Sequence, residues 1–166
     1  MKPARHPTAL RTAQLLRDAG IDVAVVEFER TTRTSAEAAA AIGCTVAEIA
    51  KSVVFRGRDS GLAIVVVASG ANRVDEARVA AAVGEPLARA DADFVRSATG
   101  YAIGGVAPIG YPGTVKLVLD EDLRRFETVW AAAGTPFSVF ALTPAQLQEI
   151  TAAAWVAVRQ EARARS

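Results

Sequence analysis

Between Thr8 and Ala19 apolar side chains recur at Leu10, Ala13, Leu16 and Ala19, a spacing that predicts a helix stopped at Gly20. Val23 to Phe28 is rich in β-branched residues and predicts a strand. Two capping signals follow in succession. Thr34-Ser35-Ala36-Glu37 opens an alanine-rich helix that ends at Gly43, and Thr45-Val46-Ala47-Glu48 opens a short helical turn that ends near Lys51. Ser52 to Phe55 and Leu62 to Ala68 read as strands, and Gly57-Arg58-Asp59-Ser60-Gly61 between them is turn chemistry, so a hairpin is expected. The second of these runs is apolar at every position, as a central strand buried on both faces would be. Asp75 to Val83 and Asp91 to Ala98 read as helices closed by Gly84 and Gly100. Val115 to Leu119 reads as a strand, Phe126 to Ala132 fits strand or helix, and Phe137 to Leu142 is a strand after the turn Gly134-Thr135-Pro136. Thr143-Pro144 supplies a cap and a first-turn proline for a last helix to Ile150.

Strands and helices do not alternate strictly, and at least two hairpins appear. The pattern predicts an α+β fold, a mixed and largely antiparallel sheet with flanking helices, rather than a doubly wound parallel sheet. No internal repeat or linker divides residues 1–166, so a single domain is expected. A chain of this size buries about two thirds of its unfolded surface and needs no staple.

Composition removes several chemistries. Nineteen basic against eighteen acidic residues leave a net charge of +1, which argues against a protein that coats long duplexes, so no DNA partner is expected. One cysteine, Cys44, and one histidine, His6, exclude an internal disulfide, the common zinc spacings and a Ser/His/Asp triad. No metal and no cofactor are expected, and the cysteine usage points to a reducing cytoplasm. No apolar run reaches the ~18 residues of a membrane span. Met1 to Pro7 carries charge without an apolar stretch behind it, so no secretory signal is expected.

The most unusual segment runs from Thr99 to Gly113 and holds five glycines and two prolines between apolar elements. Such a loop can aim several backbone N–H groups at an anion or a developing oxyanion. It is neither a P-loop nor a dinucleotide fingerprint, and composition alone leaves a long surface turn as an equal reading. Lys51 heads an apolar strand. Alone it reads as a solvated edge charge, and with an ordinary pKa it suits anion binding better than proton abstraction. Ser52 adds a hydroxyl. Cys44 reads as a small packed side chain, Trp130 and Trp155 as packing residues, and Asp120-Glu121-Asp122 as a helix cap. Arg159, Arg163 and Arg165 read as a solvated basic end.

Taken together, Lys51-Ser52 before an apolar strand, Thr99-Gly100-Tyr101 leading into Gly104-Gly105-Val106-Ala107-Pro108, and Gly134 in a late hairpin resemble the YbaK/EbsC family. These are freestanding relatives of the editing domain inserted in bacterial prolyl-tRNA synthetases. The similarity runs from about Val23 to Ile150. It implies trans-editing: hydrolysis of the ester that joins a wrong amino acid to the 3′ acceptor end of a tRNA, commonly the proline tRNA, with a synthetase as a second candidate partner. It implies that Lys51 anchors the terminal nucleotide, with Ser52 beside it. It also implies that Gly104, Gly105, Val106, Ala107 and Pro108 present backbone groups to the aminoacyl end, with Gly134 and Ser138 contributing from the hairpin. The cysteine-clearing branch has polar side chains in that hairpin, where this chain has Ala132 and Val139, so cysteine specificity does not carry over. Ala131, Ala132 and Ala133 suggest a small apolar pocket. Two other readings stand: a non-catalytic tRNA-binding or regulatory module of the same fold, and a hydrolase of another small activated ester.

Overall fold

The computed structural model describes residues 1–161. In chain order the elements are β1 (Lys2–Pro3), α1 (Pro7–Asp18), β2 (Val25–Glu27), α2 (Ser35–Ile42), a 3₁₀ turn (Val46–Glu48), β3 (Ile49–Gly57), β4 (Ala63–Ser69), α3 (Glu76–Val83), β5 (Leu87–Arg89), α4 (Ala92–Thr99), β6 (Lys116–Asp120), a second 3₁₀ turn (Glu121–Arg125), β7 (Val129–Ala132), β8 (Ser138–Leu142), α5 (Pro144–Thr151) and β9 (Ala154–Val156). The nine strands of the described residues form one sheet in the order β1-β2-β8-β7-β3-β4-β6-β9, with β5 added to β3. The pairs β3–β7, β4–β6 and β6–β9 are parallel and the rest antiparallel, so the sheet is mixed and largely antiparallel.

The fully apolar run becomes the central strand β4, and every one of its residues is buried. Its side chains alternate between two cores. Val65 and Val67 pack with Ala9, Ala13 and Leu16 of α1 and Leu147 of α5; Ile64, Val66 and Ala68 pack with Val79 of α3 on the other face.

Helix starts follow the capping residues. The Thr34 hydroxyl accepts from the Glu37 amide, while the Glu37 carboxylate reaches back to the Arg33 amide, one residue before the position a strict capping box requires. Asp75, Asp91 and Thr143 cap α3, α4 and α5 through side-chain oxygens. Asp120 caps the second 3₁₀ turn by accepting from the Asp122 amide at 2.9 Å.

Four local expectations change. β3 begins at Ile49 rather than Ser52, because the turn before it is a single 3₁₀ turn; Lys51 therefore lies inside the strand. Phe126 to Ala132 resolves to the strand β7 over Val129–Ala132, with alternating burial. The short strands β1, β5 and β9, of two or three residues, are too brief to leave a periodic signal and exist through their partners. Arg159 is no free end: it bridges Val74 and lies 3.7 Å from Asp122. Arg163 and Arg165 lie outside the described residues.

The β3–β4 turn is held by one buried carboxylate. Glu85 accepts from the amides of Asp59 (3.0 Å) and Ser60 (2.9 Å) and pairs with Lys116. The Lys116 ammonium, then the Ser60 amide, draw its pKa from 4.5 down to about 2. A depressed folded-state pKa stabilises the fold above the unfolded value of 4.5, and that stability is lost as pH falls through 4.5 toward 2. Glu85→Gln is therefore expected to lower the thermal midpoint at pH 7, with the difference from the parent shrinking across that acid range in a calorimetric pH series.

Candidate active site

The site begins with a break in the sheet. One edge of β3 pairs with β4 along Ala50–Arg56. The other edge is shared: β7 pairs with Ile49 and Ala50, and β5 pairs with Phe55, Arg56 and Gly57. Among the described residues no strand pairs with Lys51, Ser52, Val53 and Val54 on that side. A cavity of about 370 Å³ opens at this gap.

Successive side chains of a strand leave on opposite faces. Ile49 packs with α2 and Trp130, whereas Ala50 and Val54 pack with the core under α1. Lys51 and Ser52 therefore point to opposite faces, yet both line the one cavity, which spans the break in the sheet. On the Lys51 side the wall includes Thr32 to Ser35 at the start of α2, Trp130, and the cross-strand pair Ala132 and Val139. On the Ser52 side it includes Val95 of α4, Gly104 and Val106 of the glycine-rich loop, and Ser138 with Thr135.

The Lys51 ammonium donates to the Asn72 carbonyl at 2.8 Å. Asn72 is itself fixed, because its carboxamide donates to Asp120 (2.8 Å) and Asp122 (2.9 Å), and Asp120 also accepts from the Ser69 amide. Burial lowers the Lys51 pKa, opposed by the field of Asp120, so its environment is not that of an ordinary surface lysine. Among the described residues one of its three N–H donors has an acceptor.

The loop between α4 and β6 is rigidly set. Gly100 ends α4 in the left-handed region, Thr99 accepts from the Tyr101 amide, and the buried Tyr101 hydroxyl donates to the Ile109 carbonyl at 2.6 Å. Tyr101 and Tyr111 meet edge to face. Gly104 has φ +87°, and Gly105 lies so close to the hairpin turn that a Cβ would stand 2.7 Å from the Thr135 carbonyl carbon. Among the described residues the N–H groups of Gly104 and Val106 donate to no protein acceptor, whereas Gly105 donates to the Ala102 carbonyl.

Lys51, Ser52, Gly104, Val106 and Ser138 are thus brought to one cavity. Gly105, Ala107, Pro108 and Gly134 do not line it. Ala107 is buried in the cluster of Val95, Tyr101 and Val106, and Pro108 is buried beside it. Gly134, at φ +103°, makes room for Thr8 and Tyr101. Ser138 is fully buried, with its hydroxyl 2.6 Å from that of Thr135. Of the three hairpin alanines only Ala132 faces the cavity; Ala131 and Ala133 lie in the core. Cys44 lies outside the cavity, and burial raises its thiol pKa, as for a packed side chain. Sequence reasoning missed Thr32, Arg33, Asn72 and Ile103. The capping residue Thr34 located the start of α2, but nothing in the local pattern aimed it at β3.

Residues 29–150 match the family model of the aminoacyl-tRNA editing domain. The chain belongs to this family. The Bacillus subtilis (strain 168) uncharacterized protein YwhH is 36% identical over 127 residues, 76% of this chain and 80% of that one. A crystal structure of a candidate trans-editing enzyme for prolyl tRNA synthetase is 40% identical, with a TM-score of 0.89 over 95% of this chain and all of that one. The hypothetical protein APE2540 superposes with a TM-score of 0.79 at 29% identity, over 89% of this chain and 98% of that one. No helix among the described residues is long and apolar enough to cross a membrane, and no cluster of His, Cys, Asp and Glu among them is arranged to hold a metal.

In this editing domain the loop is fixed by close backbone contact. Gly105→Ala should cost ~1–3 kcal/mol by overpacking against Thr135. Gly113→Ala, whose Cβ would meet nothing, should stay within about 0.5 kcal/mol of the parent. Urea denaturation of both variants checks the contrast.

Proposed function

We propose that the protein is a trans-editing deacylase, which hydrolyses the ester between a small wrong amino acid and the 3′ end of a tRNA, with the proline tRNA as its carrier. The observation that carries this reading is that Lys51, Gly104 and Val106 line one cavity, and that the amides of Gly104 and Val106 donate to no protein acceptor among the described residues. Family membership and the solved relative described for prolyl-tRNA synthetase support the substrate class.

The chemistry follows from what surrounds the cavity. His6 is at the cap of α1 and Cys44 is outside the cavity, so neither is a base or nucleophile there. An aminoacyl ester is already activated, and positioning with electrostatic stabilisation suffices. Lys51 holds the phosphate or sugar of the terminal nucleotide through its free N–H donors. A water, assisted by a ribose hydroxyl of the substrate, attacks the ester carbonyl, and the Gly104 and Val106 amides bind the oxyanion. The C–O bond to the ribose then breaks. The ribose oxygen leaves with a proton, and the free amino acid departs.

Substrate choice rests on the wall opposite the loop. Ala132 and Val139 form an apolar cross-strand pair there, which suits a side chain such as that of alanine. A synthetase rejects slightly smaller side chains only weakly, so a second sieve of this kind is useful. The pair offers no hydrogen bond to a thiol or hydroxyl.

Losing a charged hydrogen bond costs roughly 1.5–3 kcal/mol, about tenfold to a hundredfold in rate. Lys51→Ala should therefore fold with an unchanged circular dichroism spectrum and lose at least about tenfold in kcat/KM. The assay is release of free amino acid from a panel of mischarged tRNAs. Release from small-residue esters, lost in the variant, is expected. Equal turnover by both proteins would reject the role of Lys51. Binding of charged tRNA with no release would favour a non-catalytic module.

A further inference from the structure

The break in the sheet leaves backbone groups of β3 without partners inside the cavity. The Ile49 carbonyl accepts from Gly70 at 2.7 Å, and the Gly57 amide donates to Leu62 at 2.9 Å. In an antiparallel pair such bonds recur at alternate residues. Odd-numbered residues of β3 therefore bond to β4, and even-numbered residues turn their N–H and C=O to the other edge. On that edge Ala50 is paired with β7 and Arg56 with β5, and the register of β5 also gives the Val54 carbonyl to Ala90. Among the described residues the Ser52 N–H, the Ser52 carbonyl and the Val54 N–H are left over. The Ser52 hydroxyl, on the same residue, is also buried with no partner among the described residues. Ser52 and Val54 are half-buried and line the cavity, so their free backbone groups are open to whatever enters it.

Their arrangement restricts what that is. The carbonyl of residue i and the N–H of residue i+2 stand side by side on a strand edge and point the same way. This acceptor–donor pair matches a flat group with a donor and an acceptor on neighbouring atoms. An extended peptide is the usual partner of a free strand edge. Here the gap is four residues, roughly 13 Å, and is closed by β7 at one end and β5 at the other, so a strand cannot run through it. A heterocycle can enter it.

We propose that the Ser52 carbonyl and the Val54 amide read the adenine of the acceptor end: the adenine amino group donates to Ser52, and a neighbouring ring nitrogen accepts from Val54. This rests on the editing reading above and deepens it. The base sits in the break of the sheet, between the lysine on one face and the loop amides on the other. The ribose and its ester then lie within reach of both. Recognition by backbone atoms also accounts for the absence of any base-reading signature among the side chains of β3.

The test uses the full chain and a CCA trinucleotide whose 3′ end carries alanine through a non-hydrolysable amide. Three relatives replace the terminal adenine by purine (no amino group), 1-deazaadenine or 7-deazaadenine. Calorimetry should show Kd raised about fivefold or more by purine and by one of the two deaza bases, with the other unchanged. Four Kd values within about twofold of one another would overturn the proposal. Deacylation of mischarged tRNA is measured alongside. Hydrolysis with a flat Kd series overturns the adenine contact alone; no hydrolysis and no binding of any ligand overturns the editing reading beneath it. On the protein side, an ester in place of the Val54 amide removes one N–H. It should weaken the adenine ligand by the same factor and add nothing to the loss with the sensitive deaza base. Additive losses would overturn the contact.

Discussion

Everything at the site depends on how β3 is held. On one side it is clamped to the fully buried β4 along seven residue pairs, from Ala50 to Arg56. On the other it is divided between two short strands that leave four residues open. The first contact makes the strand rigid, and the second makes it accessible. An interior strand unpaired along one edge at its middle is unusual, and here its middle residues are half-buried beside a cavity. In this fold the break turns a sheet into a passage. A side chain on one face and a loop on the other then line the same cavity.

The two parties to that meeting are fixed by independent means. Lys51 is tied to Asn72, which is tied to Asp120 and Asp122 at the end of β6, so the ammonium is referenced to the far side of β4. The loop is referenced to the hairpin through Gly105 against Thr135, and to itself through Tyr101. The hairpin turn is in turn bound to the segment before α2, where Thr32 donates to the Pro136 carbonyl from both its amide and its hydroxyl. Positions held this way cost little reorganisation when a ligand arrives, which is what a site that works by orientation requires.

Much of the fold was legible because local chemistry and tertiary context agree. The apolar run at Leu62 to Ala68 became the central strand, and Thr34, Asp75, Asp91 and Thr143 each started a helix. The glycine-rich loop and Lys51 stood out by composition and by resemblance. What the sequence withheld was partnership across distance. Strands as short as Leu87–Arg89 and Ala154–Val156 have no period of their own. The side chain of Ala132 faces the cavity while its neighbours Ala131 and Ala133 face the core, a matter of strand parity that identical residues cannot express. Gly134 does not line the cavity and instead makes room for Thr8 and Tyr101, since a glycine needed for close packing and one needed for a ligand read alike. Asn72 was invisible because its carbonyl, not its side chain, meets Lys51.

The central claim is that the two faces of the broken sheet serve one ligand, and backbone amide chemical shifts report it most directly. Titrating the isotope-labelled protein with the amide-linked alanyl trinucleotide should move the resonances of Ser52, Val54, Gly104 and Val106 together, along one binding curve. Shifts confined to one face, or two sets of residues following different curves, would contradict it.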